Sequence, residues 1–505
     1  MLRPRLPLGD YYQLLLKAGL LCDAAPLKTD LGRPVALVSC DSKNVLPDTL
    51  FICKGAGFQP EYLRVAAEKG ALAYVSERVF AGVPLPCILV GDIRRAMALL
   101  ADLAWGHPSG ALQVVGITGT KGKTTAAYYL NAILDAHRAA QGLRPTALLS
   151  TIITDDGAER RPATLTTPEP LDLQRHLWNA AHAGCDYLTM EVSSQALKYH
   201  RVTGVDFSVA VFLNIGEDHI SPHEHPDFQD YFASKLLIFQ RAKTACVNLD
   251  AEHAQEILAA AHCCGRTITF SRQDPAADVF GDAIRREHEK TCFTVRTPRY
   301  RAELTMPMPG IFNVENALAA IAAAEALDLP PDAVRQGLQD ATVPGRMEPY
   351  ASADGSRVVI VDYAHNGMSL RALLSAVRRD YPGRQMTVLF GCTGGKGLDR
   401  RAGMGSAAGD LADRIILTED DPAEESVSDI CREIGRSIGG KDYTVLENRE
   451  EAVAEAIFGA SAPAVIVLAG KGSEQLQKRK NGAEPCVPDG LLARKVLTAY
   501  DKRGI

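Results

Sequence analysis

The chain has 505 residues, with 55 Lys and Arg against 61 Asp and Glu, and its formal net charge is −6 at pH 7. The acidic balance, and the lack of aromatic residues interleaved with basic clusters, argue against a nucleic-acid-binding protein. The 12 cysteines form no Cys-x-x-Cys motif, which is typical of small core residues in a reducing compartment. No run of about 20 apolar residues is present, and residues 1–7 lack the apolar region of a secretory signal. We therefore expect a cytoplasmic protein without membrane insertion, built from about three domains of roughly 150 residues each.

The first 110 residues are expected to form an N-terminal domain without a phosphate-binding motif. Residues 35–39 and 49–53 are rich in β-branched and apolar residues and predict strands. Residues 94–105 predict a helix, and Gly106-His107-Pro108 is a signal that ends it. We place the first domain boundary there.

A strand, a glycine-rich turn and a helix follow one another after residue 111. Apolar residues 114–117 run into Gly119-Thr-Lys-Gly122, and good helix formers continue from Lys123 to residue 134. Glycines let backbone N–H groups turn toward an anion, and the helix N-terminus adds partial positive charge. Lys123 is suited to terminal phosphates, and Thr124 or Thr125 to Mg²⁺. The spacing is shorter than the strict eight-residue P-loop, and it predicts ATP binding by Gly119, Thr120, Lys121, Gly122, Lys123, Thr124 and Thr125.

Alternating strands and helices predict a parallel, doubly wound sheet for a central domain over residues 111–342. The strands are expected at residues 187–191, 207–214 and 244–248, with strand-like residues from 265 to 305 and a helix at 313–327. Glu191 ends one of these strands, and a carboxylate there is suited to Mg²⁺ beside the P-loop threonine, although alone it could be a surface charge.

Residues 214–225 are dense in histidine and acidic residues. A zinc cluster is one reading, but the segment lacks Cys and the His-x-x-x-His spacing of a helix. We favour His219 as a residue that faces the metal or phosphate region, and we interpret His223 and His225 as loop residues. Lys235 lies in an apolar helix at 231–239, where a lone lysine usually extends to water, so spacing alone gives it little functional weight.

A C-terminal domain is expected over residues 343–505, after a break at Val343-Pro-Gly-Arg346. Apolar strands at 358–362, 386–391, 414–418 and 464–470 end in Asp, Gly or Thr, and such ends line the ligand crevice of open α/β sheets. Asp362, His365 and Arg346 are suited to ribose and phosphate groups. A second glycine-rich loop at 394–401 carries basic residues that are suited to an acidic ligand, although each of these cations could also be an exposed loop residue.

These motifs together resemble the Mur ligases, and most closely the MurE type, which adds the third residue to UDP-N-acetylmuramoyl-dipeptide. The resemblance covers nearly the whole chain, and its ordered markers are Asp41-Ser-Lys43, Thr118 to Thr125, Thr166-Thr-Pro-Glu169, Glu191-Val-Ser-Ser194, His200-Arg201, Asp218-His219, Tyr231-Phe-Ala-Ser-Lys235, Asn313-Val-Glu-Asn316, Gly345-Arg-Met-Glu348, Asp362-Tyr-Ala-His365, Asp420-Asp-Pro-Ala423 and Gly470-Lys-Gly-Ser-Glu474. It implies a UDP-binding domain, a central P-loop ATPase-like domain with a parallel sheet, and a C-terminal Rossmann-like domain. It also implies peptidoglycan precursor synthesis, in which ATP converts a carboxylate to an acyl-phosphate that an amino acid attacks.

The resemblance assigns roles to individual residues. It implies that Ser42 contacts the uridine diphosphate, and that the muramoyl-dipeptide is held by Thr166, Thr167, Ser194 and Arg201. It implies Mg²⁺ ligation by Thr124 with Glu191, and by His219 with a carbamylated Lys235. Asn316, Arg346, Asp362 and His365 would contact ATP, and the amino acid would meet Lys396, Arg401, Asp420, Asp421, Gly470 and Glu474. The implied partners are UDP-N-acetylmuramoyl-L-alanyl-D-glutamate and a free diamino acid, and the chain is expected to act as a monomer.

Two departures from the family pattern bear on substrate choice. Lys121 stands where many members have Asn, which we interpret as a tolerated variant. Ala423 stands where members that add meso-diaminopimelate show an Arg for the distal carboxylate, and Ala cannot form that bidentate pair. The acidic loop that includes Asp420 and Asp421 favours a side-chain ammonium, as in L-lysine or ornithine. Open alternatives are a meso-diaminopimelate-adding ligase, a folylpolyglutamate-type ligase, a P-loop kinase or ATPase, and a catalytically silent binding protein.

Overall fold

A computed structural model describes residues 5–22, 29–55, 57–217, 220, 224–287, 290–395 and 397–503. The chain divides into two compact units. The first runs up to Phe280 and includes Ala319–Val334, and the second comprises Gly281–Leu318 and the chain from Arg335 onward. Within the described residues, no helix combines the length and apolar content needed to span a bilayer.

The helices are, in chain order, α1 Leu8–Lys17, α2 Pro60–Glu68, α3 Ile93–Ala104, α4 Lys123–Ala140, α5 Pro170–Ala183, α6 Ser194–Lys198, α7 Phe228–Leu236, α8 Ala254–Ala261, α9 Ile311–Ala326, α10 Pro331–Gln339, α11 Gly367–Asp380, α12 Leu398–Leu411, α13 Val427–Gly435, α14 Arg449–Phe458 and α15 Asp489–Arg503. The strands are β1 Leu37–Ser39, β2 Thr49–Ile52, β3 Ala73–Ser76, β4 Cys87–Leu89, β5 Gln113–Thr118, β6 Ala147–Leu149, β7 Ile153–Asp155, β8 Arg160–Pro162, β9 Tyr187–Glu191, β10 Phe207–Phe212, β11 Ala242–Asn248, β12 Arg266–Ser271, β13 Val279–Glu287, β14 Lys290–Arg296, β15 Arg301–Met306, β16 Glu348–Ala351, β17 Arg357–Asp362, β18 Gln385–Phe390, β19 Arg414–Leu417, β20 Thr444–Val445, β21 Ala464–Ala469, β22 Leu476–Arg479 and β23 Gly482–Pro485.

The first unit holds two sheets. The N-terminal one has four parallel strands in the order β1-β2-β3-β4, and apolar residues of α1 and α3 belong to its core. In the central sheet, β12-β11-β10-β5-β9-β6 run parallel, and β7 and β8 follow in antiparallel pairing. Every residue of β10 is buried, as expected for a parallel strand covered on both faces. The predicted parallel central sheet is confirmed.

The second unit contains the sheet β16-β17-β21-β18-β19-β20, in which β16 alone is antiparallel to its neighbour. The hairpin of β14 and β15 and the hairpin of β22 and β23 belong to the same unit. The strands predicted near 358–362, 386–391, 414–418 and 464–470 are present. Their carboxyl ends bring Asp362, Gly391, Thr418 and Gly470 to one edge, because parallel strands end on the same side of a sheet.

The helix predicted at 231–239 is an α-helix only in its first part and a 3-10 helix after that. The α-helix stops at Leu236, and Leu237–Arg241 continues as a 3-10 helix that leads directly into β11. The helix predicted from Lys123 to residue 134 extends further, to Ala140, with His137 and Arg138 in its last turn, where cations favour the helix dipole.

Candidate functional site

The glycine-rich turn between β5 and α4 has the backbone that an anion-binding loop needs. Gly119 has φ 151° and Gly122 has φ 86°, a region that L-residues with side chains rarely adopt. A Cβ on Gly119 would lie 2.9 Å from Leu213 Cβ, so the turn packs closely against the chain that follows β10. Gly122 directly precedes α4, so the turn ends at a helix N-terminus.

Asn214 holds this turn in place, a role that sequence reasoning missed. Its Oδ1 accepts the Lys121 N–H at 2.9 Å, and its Nδ2 donates to the Lys121 carbonyl at 3.1 Å. Its own carbonyl accepts the Thr120 N–H at 3.1 Å. The Thr120 hydroxyl lies 3.1 Å from the Tyr231 hydroxyl, which joins the turn to α7. The only sequence signal was the position of Asn214 at the end of an apolar strand.

Lys123 and Lys235 meet at one oxygen. The Nζ of Lys123 donates to the Gly119 carbonyl at 2.8 Å, and the Nζ of Lys235 donates to the same carbonyl at 2.9 Å. Lys235 is only 1% exposed, and its Nζ lies 4.7 Å from the centroid of the Tyr231 ring. The interpretation of Lys235 as a lysine that extends to water is therefore wrong, because its ammonium donates to a carbonyl of the glycine-rich turn.

Glu191 joins α4 to the segment after β6 through hydrogen bonds with Thr124 and Thr151. The Thr124 hydroxyl donates to Glu191 Oε2 at 3.0 Å, and the Thr151 N–H donates to Oε1 at 2.7 Å. Glu191 is 1% exposed, so it is not a surface charge. The hydroxyl and carboxylate oxygens of Thr124 and Glu191 are hard ligands of the kind that Mg²⁺ prefers, so the donor set fits this ion. His219, the further metal ligand expected from sequence, lies outside the described residues.

The two threonines predicted for the muramoyl-dipeptide lie beside Glu191. The buried Thr167 hydroxyl donates to the Glu191 carbonyl at 2.9 Å and accepts the Ser193 N–H at 3.0 Å. The Thr166 hydroxyl lies 3.2 Å from that of Thr151. Thr124, Glu191, Thr166 and Thr167 therefore form one connected polar set.

Arg201 joins the same region through Glu169. Its Nε lies 2.8 Å from Glu169 Oε1, and its Nη1 donates to the Thr167 carbonyl at 3.3 Å. Lys54 of the N-terminal part pairs with the other oxygen of Glu169. Burial alone would raise the pKa of Glu169, but Lys54 and Arg201 outweigh it and lower that pKa. Ser42 is half-buried at the start of a 3-10 turn whose other two residues are exposed, and its carbonyl accepts Lys69 Nζ at 2.9 Å.

Ser194 lies at the start of α6 and contacts a histidine. His225 belongs to the loop before α7, as expected, but it is fully buried, with Nε2 3.0 Å from Ser194 Oγ. Its Nδ1 lies 2.5 Å from Asp230. Sequence reasoning gave His225 no role.

In the second unit, three of the residues predicted for ATP cluster around Tyr363. The Asp362 carboxylate accepts the N–H groups of Met347 and Ala364 at 2.8 Å each. The Arg346 guanidinium lies 4.5 Å from the Tyr363 ring centroid, and His365 Nδ1 lies 2.8 Å from the Tyr363 carbonyl. Burial raises the pKa of Asp362, and the charge of Arg346 partly offsets this. Asn316 lies on α9, where its Nδ2 donates to Asn313 at 3.4 Å.

The acidic residues predicted for the amino acid come together in the second unit. One carboxylate oxygen each of Asp420, Asp421 and Glu474 lies within 4.8 Å of the others. Lys471, which sequence reasoning did not single out, donates to Asp421 at 2.9 Å and to Glu474 at 2.8 Å. Burial would lower the pKa of Lys471, but Glu474 and Asp421 raise it. Burial raises the pKa of Asp420 to about 6.

The loop that carries these acids is held by close backbone packing. A Cβ on Gly394 would lie 1.9 Å from the Pro422 carbonyl oxygen, and one on Gly470 would lie 2.6 Å from Asp420 Oδ2. Ala423 has φ 51° and donates its N–H to the Lys478 carbonyl at 3.0 Å.

Arg401 joins the loop at 394–401 to the acidic loop through its contact with Glu425. It is 2% exposed, and its guanidinium contacts Glu425 at 2.8 Å and Glu433 at 2.5 Å. Its predicted contact with the amino acid stays a prediction. The other basic residue predicted in that loop, Lys396, lies outside the described residues.

Comparison with protein families gives two matches. The family described as Mur ligase middle domain matches residues 117–324, and the family described as Mur ligase, glutamate ligase domain matches residues 345–472. The first match contains the glycine-rich turn at 119–122, Glu191 and Lys235, and the second contains Asp362 and Asp420.

Similar proteins cover nearly the whole chain. The UDP-N-acetylmuramoyl-L-alanyl-D-glutamate–L-lysine ligase of Enterococcus faecalis is 40% identical over 480 residues, which is 93% of this chain and 93% of that protein. A UDP-N-acetylmuramyl-tripeptide synthetase of Lactobacillus delbrueckii subsp. bulgaricus is 36% identical over 512 residues, 97% of this chain and 98% of that protein. The solved structure of a UDP-N-acetylmuramoyl-L-alanyl-D-glutamate–2,6-diaminopimelate ligase aligns with a TM-score of 0.68 at 26% identity, covering 98% of this chain and 99% of that one.

Proposed function

Because the chain belongs to the Mur ligase family, we propose that it is an ATP-dependent amide ligase that adds L-lysine to UDP-N-acetylmuramoyl-L-alanyl-D-glutamate. The observation that carries the choice of lysine is the acidic cluster of Asp420, Asp421 and Glu474, beside which the loop of Asp420 and Asp421 has Ala423 and supplies no guanidinium at that position. The similarity to the Enterococcus faecalis lysine ligase over 93% of both chains supports the same substrate.

The first unit activates the carboxylate. The N-terminus of α4 and the Lys123 ammonium bind the ATP phosphates, since the Thr120 and Lys121 N–H groups donate to Asn214. The polar set around Glu191 positions the dipeptide. The γ-carboxylate oxygen of D-glutamate attacks the terminal phosphorus of ATP, which gives an acyl-phosphate and ADP. Positive charge at Lys123 lowers the barrier because it neutralises the transferred phosphoryl group.

The roles of the other P-loop and dipeptide residues follow from their chemistry. Thr124 and Glu191 would hold a Mg²⁺ ion, and such an ion would supply further charge neutralisation at the phosphates. Thr166, Thr167, Ser194 and Arg201 bind the muramoyl-dipeptide by hydrogen bonds and charge, and Ser42 contacts the uridine diphosphate.

Lys235 acts in this account as a carbamate. The buried Lys235 ammonium shares the Gly119 carbonyl with the Lys123 ammonium, so two like charges lie close together. Reaction of the neutral Lys235 amine with CO₂ forms an N–C bond and releases one proton, which converts a cation into an anion. That anion attracts the Lys123 ammonium instead of repelling it, and its oxygens can serve as metal ligands.

The second unit binds the amino acid and the adenosine. The lysine side-chain ammonium pairs with the carboxylate cluster, in which Lys471 donates to Asp421 and Glu474 and the charges of Arg449 and Lys471 act on Asp420. The free α-amine then attacks the acyl-phosphate carbon, inorganic phosphate leaves, and the amine loses its proton to give an amide. A distal carboxylate at the same place meets like charge and no Arg partner. Asn316, Arg346, Asp362 and His365 contact the nucleotide.

The test is ADP release by the purified chain with ATP and Mg²⁺. We expect release only when UDP-N-acetylmuramoyl-L-alanyl-D-glutamate and L-lysine are both present, with one phosphate released per amide formed. Release that needs neither would identify a plain ATPase. Release with a folate substrate in place of the UDP-dipeptide would identify a folylpolyglutamate-type ligase.

A further inference from the structure

A line of four side chains runs from Lys198 at the end of α6, through Asp230 of α7 and His225 of the loop before it, to Ser194 at the start of α6. Lys198 Nζ donates to Asp230 Oδ2 at 2.6 Å, and the same oxygen lies 2.5 Å from His225 Nδ1. His225 Nε2 lies 3.0 Å from Ser194 Oγ. His225 is 0% exposed and Ser194 is 4% exposed. Both ring nitrogens of His225 therefore contact protein groups, Asp230 and Ser194, and not water.

The backbone around His225 keeps this line in place. Lys198 also donates to the Glu224 carbonyl at 3.2 Å, which joins α6 to the segment before α7. Asp227 caps α7 by accepting the Asp230 N–H at 2.8 Å. The Tyr231 ring packs edge-on against the imidazole, with centroids 5.1 Å apart. The imidazole therefore has one orientation.

The partners of His225 determine which nitrogen carries the proton. An ionised carboxylate only accepts hydrogen bonds, so Nδ1 carries the hydrogen that faces Asp230. Burial would raise the pKa of Asp230, but Lys198 and His225 lower it, which keeps the carboxylate ionised. In the neutral imidazole Nε2 is then an acceptor, and the hydrogen atom of Ser194 points toward it.

We propose that His225 is a positioning residue that, with Asp230, directs the Ser194 hydroxyl hydrogen inward, so that Ser194 Oγ faces the UDP-muramoyl-dipeptide as a hydrogen-bond acceptor. An oriented acceptor selects an N–H group, and the dipeptide part of the substrate offers amide N–H groups. This inference rests on the proposed function, in which Ser194 contacts the dipeptide. It adds the direction of that hydrogen bond and the residues that set it.

The experiment is a double-mutant cycle with S194A, H225Q and the S194A/H225Q double variant. The readout is kcat/KM and KM for the UDP-dipeptide, together with KM for ATP. We expect each single variant to lower kcat/KM by up to about tenfold, the size of one neutral hydrogen bond, through KM for the dipeptide. The double variant should be no worse than S194A, because His225 acts through Ser194. KM for ATP should stay unchanged.

His176 provides a matched control. It is 1% exposed and its Nδ1 lies 2.6 Å from Asp156, so it is an equally buried His–Asp pair that does not contact Ser194. The effect of H176Q, whatever its size, should multiply with that of S194A. D230N serves as a second variant where H225Q does not fold, because an amide can donate as well as accept and no longer fixes the ring hydrogen. Its effect should vanish in the S194A background.

Effects of H225Q or D230N that multiply with that of S194A would overturn the proposal, as would an equal rise in KM for ATP. Failure of the proposed function has a separate signature, since the wild-type chain would then release no ADP in response to the UDP-dipeptide.

Discussion

Gly394→Ala is a direct test of whether the acidic loop positions the amino acid. Gly394 donates its N–H to the Asp421 carbonyl at 2.9 Å, and an added Cβ would lie 1.9 Å from the Pro422 oxygen and 2.7 Å from the Pro422 carbonyl carbon. Relieving these contacts to about 3 Å requires a shift of roughly 1 Å. A misplacement of that size costs up to about 10²-fold in rate when it moves a positioning group.

We therefore expect G394A to lower kcat/KM for L-lysine by about 10- to 10²-fold. KM for the UDP-dipeptide should change little, because its binding residues lie in the first unit. Initial rates of ADP release against lysine concentration measure the effect, and thermal melting shows whether the variant is folded.

The neighbouring glycine is a matched control. Gly395 has φ +71°, and a Cβ there would have no atom within 4 Å. G395A thus adds left-handed backbone strain of about 1–2 kcal/mol without displacing the loop. A folded G394A with normal lysine kinetics would refute the positioning role of the loop. A lysine defect in G395A as large as that in G394A would show that strain, and not displacement, is responsible.

Three further predictions concern the first unit. Lys123→Ala should lower ATP turnover by about 10²–10³-fold with the melting temperature retained, and near wild-type turnover would exclude this turn as the phosphate site. Lys235→Ala should lose nearly all ligase activity, and excess bicarbonate should not restore it. The control variant K243A changes an exposed lysine of β11 and should have wild-type activity. Full activity in K235A would contradict the carbamate role. Burial would raise the pKa of Asp156, but hydrogen bonds from His176, Asn179 and the backbone outweigh it and lower that pKa to about 2. Ionised Asp156 therefore stabilises the fold above pH 4, and on the order of 2 kcal/mol of this stabilisation is lost as pH falls from about 4 to 2. D156N should have a lower free energy of unfolding than wild type at neutral pH, and the difference should shrink between about pH 4 and 2. A difference that does not change with pH would contradict the lowered pKa of Asp156.

The sequence was most informative about features formed by residues that are neighbours along the chain. The glycine-rich turn between β5 and α4 was predictable because its glycines, Lys123 and Thr124 are neighbours along the chain. The order of apolar strands and helices predicted the parallel sheets. Glu191 was recognisable because it ends a strand beside that turn.

Residues that act across long sequence separations were not predictable in the same way. Asn214 and Tyr231 contact the turn from 93 to 111 positions away, and periodicity carries no information about such contacts. His225 follows no regular pattern, and its burial results from the packing of α6 against α7. Lys235 was undervalued from spacing because a lysine on an apolar helix face has the same pattern whether its ammonium reaches water or a buried carbonyl.

The acidic loop shows a third limit. Asp420 and Asp421 were predictable as part of an acidic loop, and Glu474 was expected near the amino acid from the family resemblance. The buried ammonium of Lys471 between Asp421 and Glu474 was not predicted. Its position matters because it reduces the negative charge available to a substrate. The close approach of Gly394 to Pro422 likewise depends on tertiary packing and has no local signature.

The measurement that most directly tests the central claim is an amino-acid competition. The purified chain receives ATP, Mg²⁺ and UDP-N-acetylmuramoyl-L-alanyl-D-glutamate with equal concentrations of L-lysine and meso-diaminopimelate, and mass spectrometry quantifies the two tripeptide products. We expect the lysine product in excess by at least about 30-fold, which corresponds to roughly 2 kcal/mol for a carboxylate placed among acids without a partner. We also expect Ala423→Arg with Asp421→Asn to shift the ratio toward meso-diaminopimelate. A predominance of the meso-diaminopimelate product in the wild-type chain would contradict the lysine assignment, and the absence of both products would contradict the ligase itself.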